Sequence, residues 1–162
     1  MLIRELLEQE TAPFDLLLLA DPSREMVEEY IAVGECRVAE VAGEIVGVYV
    51  LAKLDSETME IMNIAVDERM HGRGIGKKLL SDAIQTAKGL GYRTLEIGTG
   101  NSSINQLALY QKCGFRMQSI KKDFFIDHYE EAIFENGIQC RDMIRLSMEI
   151  TGNVTNTSGD KA

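Results

Sequence analysis

Between Met70 and Leu80 the chain reads MHGRGIGKKLL, with Gly72, Gly74 and Gly76 interleaved with Arg73 and Ile75 and followed by Lys77 and Lys78. Glycines let main-chain N–H groups turn inward and approach a ligand closely. A helix that begins just after them adds its own unpaired N–H groups and the positive end of its dipole. The chemistry on offer is anion binding, with phosphate as the first candidate. A P-loop requires G-x-x-x-x-G-K-[ST], but Gly72 to Gly76 encloses three residues and Lys78 stands where the hydroxyl belongs. A dinucleotide fingerprint requires G-x-G-x-x-G, and the three glycines here give G-x-G-x-G. Both readings fail on spacing. Cys36, Cys140, His71 and His128 lack metal-ligand spacing, so no metal is expected. Cys113, late in an apolar helical run, reads as a small buried hydrophobe rather than a nucleophile.

The elements around the loop follow from hydrophobic periodicity. Residues 1–7 read as a strand, 11–20 and 22–34 as helices, and 35–41 and 44–54 as strands joined at a hairpin-like AGE. Residues 57–66 are apolar on both faces apart from Glu60 and Asn63, as in a covered central strand. The loop follows directly. Ile75, Leu79, Leu80, Ala83, Ile84 and Ala87 then recur at helical spacing up to a stop at Gly91. Beyond it, 92–99 reads as a strand, 103–113 as a helix, 115–125 as a strand and 139–150 as a final strand. The class is α+β in one domain over residues 1–150, with 151–162 expected as a polar, disordered tail. A net charge of −9 argues against general nucleic-acid binding, and no apolar run is long enough to span a bilayer. Three cysteines and the absence of a signal-peptide layout point to a cytoplasmic protein.

Taken with these elements, IAVDERMHGRGIGKKLL resembles the acetyl-CoA-binding segment of the GNAT N-acetyltransferase superfamily, whose Arg/Gln-x-x-Gly-x-Gly/Ala signature falls on His71 to Gly76. His71 departs from the usual Arg or Gln. A second block, LALYQKCGF, resembles the later Leu-Tyr…Gly-Phe element, and the likeness runs over roughly residues 2–150. The resemblance implies a mixed, twisted sheet with splayed central strands flanked by helices, the fourth strand being residues 58–66. It also implies acetyl-CoA as acetyl donor. Pantetheine would lie along Ile64, Ala65 and Val66, with Asn101 and Ser103 nearby. The pyrophosphate would rest on the backbone of His71, Gly72, Arg73, Gly74, Ile75, Gly76 and Lys77.

The implied reaction is direct attack of a primary amine on the thioester, which calls for a base, an oxyanion donor and an acid for the departing thiolate. By resemblance Tyr110 is the acid beside the cofactor sulfur, and Glu60 or Glu96 is the base, acting directly or through water. The acidic and aromatic stretch 121–137 is a candidate wall for a cationic acceptor, or a solvated helix face. Small amines and protein amines both remain open as acceptor, and so does assembly as a homodimer. A non-catalytic acyl-CoA sensor or partner-binding protein is the main alternative. LEIGTGNSS also resembles the first motif of S-adenosylmethionine methyltransferases, but only about sixty residues follow it.

Overall fold

The computed structural model describes residues 1–151, so the expected tail, from residue 152 onward, lies outside the described residues. Element bounds are β1 Leu2–Glu5, α1 Phe14–Ala20, α2 Arg24–Val33, β2 Glu35–Val41, β3 Glu44–Lys53, β4 Thr58–Val66, α3 Ile75–Gly89 and β5 Thr94–Gly100. They continue with α4 Ile104–Lys112, β6 Arg116–Lys121, α5 Phe124–His128, β7 Ile133–Glu135, β8 Ile138–Cys140 and β9 Met143–Glu149. Ala42 and Gly43, both at positive φ, make the tight turn between β2 and β3. Ser23 starts α2 by accepting the Met26 N–H, and Gly91, at φ 91°, receives the chain as it leaves α3.

One seven-stranded sheet runs in the order β1-β2-β3-β4-β5-β9-β6, and a separate hairpin joins β7 to β8. Every pairing in the large sheet is antiparallel except that of β4 with β5, which α3 connects. The amphipathic α3 lays Leu79, Leu80, Ala83 and Ala87 on one face of the sheet, against Tyr49, Leu51, Ile61, Ile97 and Leu146. On the other face α1 and α2 bring Leu16, Leu17, Val27 and Tyr30 onto Val38, Val48, Val50 and Ala65.

Pairing of β4 with β5 stops early. It covers Thr58–Ile61 against Thr94–Ile97, although β4 continues to Val66 and β5 to Gly100. The cause lies on the other side of β4. Its register against β3 passes from Val50↔Asn63 to Leu51↔Ile61, which leaves Met62 as the extra residue of a bulge. A bulge bends its strand and adds twist. Beyond that point each arm keeps its other neighbour, β4 on β3 and β5 on β9, so the fork is held open from both sides. The expected splayed strands are present, with the bulge as their physical origin.

Two expected strands are broken. The strand read over 115–125 ends at Lys121, because Asp123 takes a left-handed φ of 60° and residues 124–128 turn into α5. There Phe124 stacks on His128, 4.2 Å between ring centres, and meets Phe125 edge-on. The strand read over 139–150 is interrupted at Arg141 and Asp142, whose N–H groups donate to Asn101 Oδ1 at 2.8 and 2.9 Å instead of to a neighbouring strand. The residues before the break form the β7–β8 hairpin around Asn136 and Gly137, both at positive φ.

Candidate active site

After β4 the chain makes a short turn at Glu68–Met70, capped by the Asp67 carboxylate on the Arg69 N–H at 2.9 Å. Hydrogen bonds from the Arg69 guanidinium and main-chain N–H hold the Asp67 carboxyl down at about 2. Gly72 and Gly74 then sit at φ 81° and 78°, a region that side chains disfavour, and Gly74 delivers the chain into α3. From Gly72 through Lys77 no main-chain N–H has a protein acceptor among the described residues; the first helical bond is Lys78 N–H to the Gly74 carbonyl at 3.1 Å. Arg73, Lys77 and Lys78 are exposed and outside every ion pair among the described residues. A cradle of N–H groups ringed by free cations is an arrangement that can hold an anion.

The unpaired edge of β4 adjoins the cradle. Asp67 N–H donates to Val46 O, so the alternation of an antiparallel ladder turns the main chain of Ala65 toward β3 and that of Ile64 and Val66 toward the fork. His71 Nε2 stands 3.1 Å from Val66 O, so the residue that departs from the motif touches the end of that edge.

Two cavities occupy the fork. The larger, about 760 Å³, is lined by Ile64–Val66, His71, Gly72, Gly74–Lys77, Asn105, Leu109 and Lys112. The smaller, about 490 Å³, lies between the α1–α2 junction, the ends of β4 and β5, and the 121–137 segment; Asp21, Asn63, Thr99, Phe125, Tyr129 and Met143 line it. Leu19, Ala20, Ile64, Gln106, Tyr110 and Glu135 line both, so the two are limbs of one cleft. Tyr110 stands at the junction, 4% exposed, with its ring tilted against Phe115. Its hydroxyl has no hydrogen-bond partner among the described residues, and burial pushes its pKa above the ordinary value. A phenol in that state keeps its proton and has it free to donate.

Glu60 and Glu96 stand directly opposite each other in the parallel register, and neither lines either limb. Arg145 on β9 bridges them, with Nη1 donating to Glu60 and Nη2 to Glu96, each at 2.7 Å. Burial opposes the Arg145 charge, but the two carboxylate hydrogen bonds outweigh it and leave the guanidinium above its ordinary pKa. Gly98, across from Arg145 in the β5–β9 register, leaves room for that side chain; a Cβ there would stand 3.0 Å from Nη1. Asn101 is occupied with Arg141, Asp142 and the Gln139 carbonyl. Ser103 lines the smaller limb and donates to Glu135 at 2.7 Å.

Tyr129, in the 121–137 stretch, is brought by the fold to Asp21 and Tyr30, two residues to which no sequence signal pointed. Asp21 accepts from both phenols, at 3.0 and 2.8 Å. Sequence reading passed over the Asn136–Gly137 dipeptide, a strong hairpin signal that would have placed Glu135 on a strand beside the cleft.

Comparison with known proteins adds family evidence. Residues 3–115 match the family model described as Acetyltransferase (GNAT) family. The uncharacterized N-acetyltransferase YvbK of Bacillus subtilis is 61% identical over 137 residues, 85% of this chain and 88% of that protein. A GNAT family acetyltransferase from Elizabethkingia anophelis, solved with acetyl-CoA bound, superposes with a TM-score of 0.90 at 53% identity, covering 91% of this chain and 97% of its own. A Bacillus subtilis acetyltransferase in complex with CoA gives a TM-score of 0.85 at 58% identity, covering 91% and 99%.

The Arg145 bridge yields a stability prediction. Arg145→Met leaves two facing, mostly buried carboxylates without their cation, and should cost about 3 kcal/mol or more. At roughly 2–4 °C per kcal/mol for a chain of this size, the melting temperature should fall by about 6 °C or more. Placing the same substitution in a Glu60→Gln, Glu96→Gln background should shrink the loss, because no charge is then stranded. A melting curve for Arg145→Met that overlays the wild type would show that the bridge does not hold the fork.

Proposed function

The chain belongs to the GNAT acetyltransferase family, and from that membership we propose that it moves the acetyl group of acetyl-CoA to a primary amine held in the smaller limb of the cleft. One observation carries this reading: two limbs of contrasting character meet at Tyr110. The larger is lined by Lys77 and Lys112 but also by Glu68 and Glu135, so what suits it to a polyanionic donor is the set of free N–H groups of residues 72–77. The smaller has Asp21 and Glu135 in its lining and no Lys, Arg or His, which suits a cationic acceptor.

In this reading the pyrophosphate rests on the N–H groups of residues 72–77, beginning beside His71, with Arg73 and Lys77 adding charge. Pantetheine continues the sheet along β4, hydrogen-bonding the outward-facing groups of Ile64 and Val66, with Ala65 between them. The thioester then reaches Tyr110, and Ser103 lies across the acceptor side. The amine nitrogen attacks the carbonyl carbon, the C–S bond breaks, and Tyr110 donates its proton to the departing sulfur. The Arg145 bridge favours a positioning role for Glu60 and Glu96, keeping the fork at the width the substrates need.

Incubation of the protein with acetyl-CoA and a panel of small amines and lysine peptides, followed by free-thiol release, tests the transfer. Acceptor-dependent thiol release is the expected result. Coenzyme binding without turnover of any amine would favour the sensor alternative.

Two substitutions separate binding from chemistry. Gly76 has ordinary space around a new Cβ, with Leu109 at 3.7 Å, so Gly76→Asp should fold while placing a negative charge in the cradle. Calorimetric affinity for acetyl-CoA should drop by about tenfold or more; unchanged affinity in the folded variant rejects the cradle assignment. Tyr110→Phe keeps the ring and deletes the donor. Acetyl-CoA affinity should hold, whereas the single-turnover rate should fall by about 10²-fold. A wild-type rate would reduce Tyr110 to a packing residue.

A further inference from the structure

Building on the transfer reading, we propose that the acceptor carries two ammonium groups, as a diamine or longer polyamine does, with the reacting nitrogen at Glu135 and the second at Asp21. Asp21 and Glu135 are the two carboxylates in the lining of the smaller limb, and neither has a Lys, Arg or His partner among the described residues. Their surroundings nevertheless hold them in place. Asp21 Oδ1 accepts from the Tyr129 hydroxyl at 2.8 Å and the Ser23 N–H at 3.1 Å, and Oδ2 accepts from the Tyr30 hydroxyl at 3.0 Å. Glu135 Oε1 accepts from Ser103 at 2.7 Å and Ser102 at 3.2 Å, which leaves Oε2 open. The contrast is with Glu10, Glu40, Glu60, Asp82 and Glu96, each of which sits on an arginine. Carboxylates fixed by neutral donors keep their full charge for a ligand.

A second, independent feature lies in the same limb. Asn63, 4% exposed, spends its Nδ2 on the Leu17 carbonyl at 2.9 Å and on Tyr30 Oη at 2.8 Å. Its Oδ1 is buried without a partner, and Asn63 lines the smaller limb. A carbonyl oxygen left unpaired in the interior is costly, and an N–H donor on the ligand removes the cost. Asn63 and Asp21 share Tyr30 as a hydrogen-bond partner, so the orphan acceptor and the uncompensated charge belong to one network. Position assigns the two ends. Glu135 lines both limbs, as Tyr110 does, whereas Asp21 lines only the smaller one.

The step then balances. The reacting ammonium gives one proton to Glu135 Oε2, and Glu135, an exposed residue, passes it to water. The freed lone pair forms the N–C bond as the carbonyl electrons move to oxygen. Collapse breaks the C–S bond, the sulfur takes the Tyr110 proton, and the second proton leaving nitrogen returns to Tyr110. The products are the acetamide, the free thiol of CoA and one proton in solution.

Calorimetric titration of the protein–CoA complex with diaminobutane, with butylamine and with mono-acetylated diaminobutane tests the proposal. Diaminobutane should bind on the order of 10- to 100-fold more tightly than either single-charge compound. Asp21→Asn should remove that advantage, and Glu135→Gln should weaken all three, with CoA affinity and melting temperature as fold controls. Equal affinities for the three compounds on the wild type overturn the proposal, and this comparison needs no variant to fold. An advantage that survives Asp21→Asn in a folded protein overturns it as well. Thiol release keeps the two readings apart. Selective diamine binding without acetylation supports the two-cation site and rejects transfer, whereas acetylation of all three with equal affinities supports transfer and rejects the site.

Discussion

Two carboxylates side by side across a parallel strand pair repel each other unless a cation stands between them, and Arg145 is that cation. Glu60 and Glu96 are opposite residues of β4 and β5, one position before the last paired residues, Ile61 and Ile97. The bridge therefore clamps the crotch of the fork just where the strands separate. Above it, the Met62 bulge bends β4 away while β3 keeps it in the sheet. Without the bulge, pairing would continue and the cleft would close.

The open fork creates unsatisfied groups, and those groups define the cleft's chemistry. The main-chain groups of Ile64 and the N–H of Val66 are turned to a gap instead of a neighbouring strand, with the Val66 carbonyl meeting His71 Nε2, an arrangement that a peptide-like ligand can complete. The glycine loop adds N–H donors with no protein acceptor. Asp21, Glu135 and the Asn63 carbonyl add the opposite demand, for donors and positive charge. Tyr110 sits between, a donor without a partner. Among the described residues Asn63 Oδ1 is the buried side-chain polar atom without a partner, and Asn63 lines this cleft.

Long-range hydrogen bonds hold the smaller limb in shape. The Tyr129 hydroxyl reaches Asp21 at the α1–α2 junction, Asn136 Nδ2 donates to the Ser102 carbonyl, and Asn101 ties β5 to the chain between β8 and β9. The 121–137 segment is thus fastened at several points to the elements it covers, which gives the smaller limb a defined wall.

What the sequence determined by itself was local. The bounds of β2 and the start of α3 are where patterning placed them, and the glycine cradle was readable because positive φ and free N–H groups at a helix start depend on neighbours within a few residues. The family motifs around His71 and Tyr110 carried the fold class and the donor. The strand breaks at Asp123 and at Arg141–Asp142 were hidden: periodicity continues through them, and what breaks the second is Asn101, about forty residues away. The same holds for the carboxylates. Family resemblance put Glu60 and Glu96 at base positions, and along the chain Asp21 is a polar residue between helices. Tertiary structure alone decided that Arg145 would neutralise the first two while Asp21 would receive hydroxyls and no cation. Charge compensation is set by which groups the fold brings within a few ångströms, and that distance is not encoded in spacing along the chain.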